Sequence, residues 1–118
     1  MNQDIIKKYG IDFKNKNINN KIDKVPHTNF PDLTIFLYGW GASELNEDLL
    51  QQINEVLNEP GKEFESQNEM ILIEVNKDDV CFYSDEIDEF HMPTIEFKQI
   101  VEGWRDFLLS PPLNGSKP

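Results

Sequence analysis

The pattern that most constrains the fold lies near the end of the chain. Phe97, Ile100, Val101, Trp104, Phe107 and Leu108 recur at three- and four-residue spacing between Pro93-Thr94 and Pro111-Pro112. That spacing makes one apolar stripe along an α-helix. Such a helix is not stable alone; its stripe must be covered by another layer. Phe97, Ile100, Trp104 and Leu108 are therefore predicted core residues, with Thr94 as the capping residue. Gly103 weakens the interior by about 1 kcal/mol relative to Ala, which points either to close packing against a sheet or to simple tolerance.

A second helix is predicted after Gly39-Trp40-Gly41-Ala42-Ser43. Leu45, Leu49, Ile53, Val56 and Leu57 share one face, Ser43 or Asn46 is available as N-cap, and Pro60-Gly61 closes the element. Glu44, Glu47 and Asp48 sit near its positive end. Leu33–Tyr38, reading LTIFLY, offers no polar face and is predicted as a central strand. MILIEV and VCFY flank the polar Asn76-Lys77-Asp78-Asp79 and read as a β-hairpin. Ile87 and Phe90 within SDEIDEFHMP can anchor a short edge segment.

With 118 residues, the chain fits one domain that buries roughly two thirds of its unfolded surface. The expected class is α+β: a mostly antiparallel sheet with two main helices packed on it. Residues 1–31 read as a Lys/Asn-rich segment, partly extended, in which DIIKKYGI forms a helical turn ended by Gly10 and residues 13–30 form a loop or arm. Residues 32–110 form the acidic body, and residues 111–118 a flexible tail.

Charge divides the chain sharply. Residues 1–31 hold six Lys against three Asp, while residues 32–118 hold five basic against nineteen acidic side chains, net −14. Charge of one sign at that density governs solubility, steering and partner choice. It disfavours nucleic acid as a ligand, because a duplex charged every ~1.7 Å is repelled, and it favours a basic protein. No leader-like h-region follows the N-terminus, and no apolar run approaches the ~18 residues of a membrane span. The single cysteine, Cys81, lies in the apolar VCFY and reads as a buried inert thiol, consistent with a reducing cytoplasm.

Motifs for chemistry are sparse. Gly39-Trp40-Gly41 precedes a helix, but the third glycine of a dinucleotide fingerprint is replaced by Glu44, and three carboxylates in the next turn repel phosphate. Cys81, His27 and His91 have no paired metal spacing, and neither NKDD nor DEIDE matches a calcium loop. No catalytic residue, cofactor or metal ligand is therefore predicted. Asp78, Asp79, Asp85, Glu86, Asp88 and Glu89 instead gather near one rim of the predicted sheet, with Tyr83, Phe90 and Trp40 as aromatic anchors. Carboxylates around aromatic anchors suit an interface with a basic protein.

An acidic single domain of this length, a central hairpin and the closing segment HMPTIEFKQIVEGWRDFLLSPP, with Phe97, Trp104 and Phe107-Leu108 so placed, resemble the immunity proteins of polymorphic bacterial toxins, especially those of contact-dependent growth inhibition systems. The likeness spans residues 33–109. It implies a cytoplasmic inhibitor that binds the C-terminal toxin domain of a cognate effector, often a nuclease with a basic substrate surface, and occludes it without chemistry of its own. An acidic regulatory or adaptor domain for another basic protein is the alternative reading.

Overall fold

The computed structural model describes residues 1–84 and 89–112. Helix α1 (Gln3–Tyr9) is followed by strands β1 (Lys14–Ile18) and β2 (Lys21–Val25), then helix α2 (Pro31–Tyr38). Helix α3 (Ala42–Glu44), a π turn (Leu45–Leu49) and helix α4 (Leu50–Asn58) run on as one helix. Strands β3 (Glu63–Gln67), β4 (Leu72–Asn76), β5 (Asp79–Tyr83) and β6 (Phe90–Pro93) lead into helix α5 (Thr94–Leu109).

The sheet β3-β4-β5-β6 is an antiparallel meander, and β1-β2 is a separate two-stranded sheet. Ile73, Val75, Val80, Phe82 and Met92 point from the meander into a core closed by Leu33, Phe36 and Leu37 of α2, Leu49 and Ile53 of the middle helix, and Phe97, Ile100, Trp104 and Leu108 of α5. All four residues expected in the core of the last helix are buried. Trp104 Nε1 donates to the Leu37 carbonyl at 2.9 Å, so the largest core side chain also satisfies a carbonyl at the end of α2.

The expectation of two main helices on a single sheet is corrected: the described residues form four helices, counting residues 42–58 as one, and two sheets. One cause is LTIFLY, which is helical rather than a strand. A short run apolar on every side fits a buried strand or a buried helix equally well. Pro31 decides for the helix, since its fixed φ and missing N–H suit a first helical turn.

The other cause is the N-terminal segment. Instead of a loop or arm, residues 14–25 form a hairpin whose turn residues Asn19 and Asn20 both have positive φ, 52° and 65°. This is the type I′ geometry that asparagine tolerates. The hairpin is fastened to the body by Lys24, which is wholly buried and donates to the Ser110 carbonyl and to Asn15 Oδ1, each at 2.9 Å. Its ammonium sits 4.5 Å from the Phe107 ring centroid, at the negative end of α5. Burial pushes the Lys24 ammonium below its ordinary pKa. Helix α1 ends at Gly10, φ 63°, and buries Ile5 and Tyr9 in the same core.

Two capping expectations also change. Gly41, not Ser43 or Asn46, is the N-cap of α3, and its N–H donates to Glu44 Oε1 at 3.3 Å. Pro93 precedes α5, and the Thr94 hydroxyl donates to the Asn76 carbonyl at 2.7 Å, tying the helix start to the β4–β5 turn. Gly103 faces the flexible end of Met1 rather than the sheet.

Candidate partner-binding surface

Among the described residues, the helices cover one face of the meander and leave the other open. Cross-strand register places Glu65, Glu74, Cys81 and His91 in a single row across all four strands. Alternation adds Glu63, Asp79 and Tyr83 to that face, and Glu89 joins it through contacts to His91 and Cys81. No Lys or Arg lies among the strand residues of this face. Glu65 stands directly opposite Glu74, an arrangement of like charges that costs stability in an isolated sheet. The neighbouring Lys62 turns away to Glu55 of α4 and to Glu59, the residue that caps it, at 3.1 and 3.5 Å.

At the β5–β6 side of this face four polar groups converge. His91 Nδ1 lies 2.8 Å from Asp79 Oδ2, and Nε2 lies 3.2 Å from Glu89 Oε2 and 3.5 Å from Cys81 Sγ. The two carboxylates, Asp79 first, raise the imidazole above its ordinary pKa. Burial, reinforced by Glu89, holds the Cys81 thiol above its own despite an opposing hydrogen bond with Tyr83. The Asp79–His91–Cys81 series has the connectivity of an orienter, base and nucleophile. The chemistry differs: Glu89 competes for the imidazole and disfavours a thiolate. Cys81 is also only 6% exposed, in the middle of a strand paired on both sides, where ladder bonds engage the N–H groups an oxyanion would need.

The structure divides the residues expected to bind a partner. Asp79, Tyr83 and Glu89 share the open face. Asp78 is exposed in the β4–β5 turn, where Asn76 Oδ1 accepts from the N–H groups of Asp78 and Asp79 at 2.9 Å. Phe90 points to the opposite, inner face and stacks on Phe30 with centroids 4.6 Å apart. Asp85, Glu86 and Asp88 lie outside the described residues.

Trp40 belongs to a different place, a groove of about 780 Å³ at the β3–β4 end of the sheet, lined by Val25, Pro26, Ile35, Tyr38 and Met70 among others. That end and the Asp78 turn are separated by the length of β4, about 16 Å for five residues. Met70 is 67% exposed and Tyr38 46%. Trp40 Nε1 is buried with no hydrogen-bond partner among the described residues. Asn68 shapes the groove: its amide donates to the carbonyls of Ile35 and Phe36, while its Oδ1 accepts from the N–H groups of Met70 and Ile71.

Glu63, Glu65 and Glu74 are not among the residues expected from the sequence, because the expected acids are those nearest the hairpin turn in the chain, whereas strand alternation brings these three to the face. Glu63-Phe64-Glu65-Ser66-Gln67 carries a period-two signal that places its acids on one face. No protein-family model, curated protein or solved structure matches the chain.

Proposed function

We propose that this protein is a stoichiometric inhibitor that presents the open face of its meander to a basic protein partner, as an immunity protein does to the toxin domain of its cognate effector. The observation that carries the reading is the face itself: Glu63, Glu65, Glu74, Asp79 and Glu89 without an interspersed Lys or Arg, including the directly opposed Glu65 and Glu74. A sheet surface that repels itself is relieved by cations from outside, and a basic nuclease surface built to hold phosphates supplies them. The inhibitor would act by occupancy, with no bond made or broken.

The apolar groove at Trp40 favours the second reading, an adaptor that seats an apolar side chain of its partner in a preformed cavity. Both readings are tested by purifying the protein with its bound partner, assaying that partner for nuclease activity, and adding back the wild-type chain or a Glu63→Gln/Glu65→Gln/Glu74→Gln variant. Suppression at one-to-one stoichiometry that the triple variant weakens supports the inhibitor. A partner without nuclease activity whose binding depends on Trp40 and Met70 supports the adaptor.

A further inference from the structure

We propose that Cys81, Glu89 and His91 form a binding site for a zinc-class divalent transition metal, with Asp79 as the positioning residue. The site shares Asp79 and Glu89 with the proposed partner-binding face, but its argument does not rest on that reading.

Cys81 Sγ, Glu89 Oε2 and His91 Nε2 all lie within 4.8 Å of one another. The separations are 3.5 Å from sulfur to nitrogen, 3.7 Å from sulfur to oxygen and 3.2 Å from nitrogen to oxygen. A tetrahedral ion with metal–sulfur bonds near 2.3 Å and metal–nitrogen and metal–oxygen bonds near 2.0–2.2 Å sets its donors about 3.5, 3.5 and 3.3 Å apart. The triangle on the sheet therefore already has the edges that three tetrahedral ligands require. An ion standing slightly off its plane reaches all three without backbone movement.

Asp79 adds a second, independent feature. Its carboxylate stands 2.8 Å from His91 Nδ1; with Nδ1–H donating to it, a ring that has given up its other proton presents the lone pair of Nε2 to the other two donors. Carboxylates orient metal-binding histidines in this way. Cys81 and His91 are cross-strand partners and Asp79 lies two residues before Cys81, so rigid strands rather than loops hold these three. A metal also accounts for a buried thiol on the acidic side of the sheet.

The donor set selects the ion. One thiolate, one imidazole and one carboxylate suit zinc and its neighbours, whereas calcium and magnesium prefer oxygen alone. On binding, the Cys81 thiol proton leaves to solvent, as does the Nε2 proton of any imidazolium present. The thiolate and the Glu89 carboxylate then balance the two positive charges of the ion. Water takes the fourth position on the open face.

The test is titration of the purified chain, under a non-chelating reductant, with Co²⁺ as a spectroscopic stand-in and then with Zn²⁺ in competition. The expected result is one Co²⁺ per chain with a thiolate-to-cobalt band in the near ultraviolet, displaced by Zn²⁺ and unaffected by excess Mg²⁺ or Ca²⁺. Cys81→Ser should abolish the band, and Asp79→Asn should weaken affinity by about 10–100-fold at unchanged stoichiometry. If Cys81→Ser does not fold, the exposed Glu89→Gln and His91→Gln variants carry the same test, each lowering affinity while the circular dichroism spectrum is retained. Absence of the charge-transfer band, or metal binding unchanged in those variants, would overturn the proposal and leave His91 as a bridge between Asp79 and Glu89.

Discussion

Trp104 shows how much of this molecule can rest on one side chain. It is fully buried, donates to the Leu37 carbonyl, and lies 4.9 Å from Phe13 and 5.9 Å from Phe107 by ring centroids. Trp104→Ala should cost about 3–5 kcal/mol, a large part of the stability of a domain this size, and urea denaturation will measure it. An unchanged midpoint would mean that the stripe of α5 is not covered. Its neighbour Gly103 has the opposite expectation. A Cβ there meets the Met1 side chain, most closely its far methyl end, which can swing aside, so Gly103→Ala should raise stability by about 1 kcal/mol, visible as a higher melting temperature. His91 sets a pH dependence in the metal-free protein. Its folded pKa is raised, so its contribution is complete below the unfolded value of about 6.5 and fades as pH rises through the folded value. Asp79→Asn should reduce that slope in melts across a pH series, with Glu89 keeping part of it.

At the scale of elements, periodicity was legible and its absence was not. The middle and last helices and the β4–β5 hairpin were readable because each repeats its apolar residues at the period of its own geometry. LTIFLY has no period, and only the proline before it separates helix from strand. The β1–β2 hairpin escaped because all of β1 is exposed; its signal is two asparagines suited to a tight turn, not a hydrophobic alternation. The Cys81–Glu89–His91 cluster escaped for a related reason. Cys81 and His91 meet through antiparallel pairing, so their spacing in the chain reflects the length of a connection, and no linear motif encodes it. The N-terminal elements also carry a prediction. Ile5 and Tyr9 enter the core, Phe13 packs on Trp104, and Lys24 binds the end of α5. Removing residues 1–30 should therefore abolish the cooperative unfolding transition. A truncated chain that melted like the full one would make the segment an appendage.

For the molecule as a whole, helices line one side of the meander and carboxylates stand on the other. The net charge of −14 over residues 32–118 should draw a basic partner in faster than the ~10⁵–10⁷ M⁻¹s⁻¹ of ordinary docking, with an advantage that shrinks as salt rises. Glu63, Glu65 and Glu74 are not among the proposed metal donors, although Glu74 stands directly across from Cys81, so their replacement tests the surface while leaving the donors themselves in place. The most direct measurement is stopped-flow association of the co-purified basic partner with the wild-type chain and with Glu63→Gln/Glu65→Gln/Glu74→Gln across a salt series. The account predicts that the triple variant associates more slowly at low salt and with a flatter salt dependence, and that the two chains converge at high salt. Equal association and dissociation rates for the two chains at every salt concentration would contradict it and move the interface to another surface.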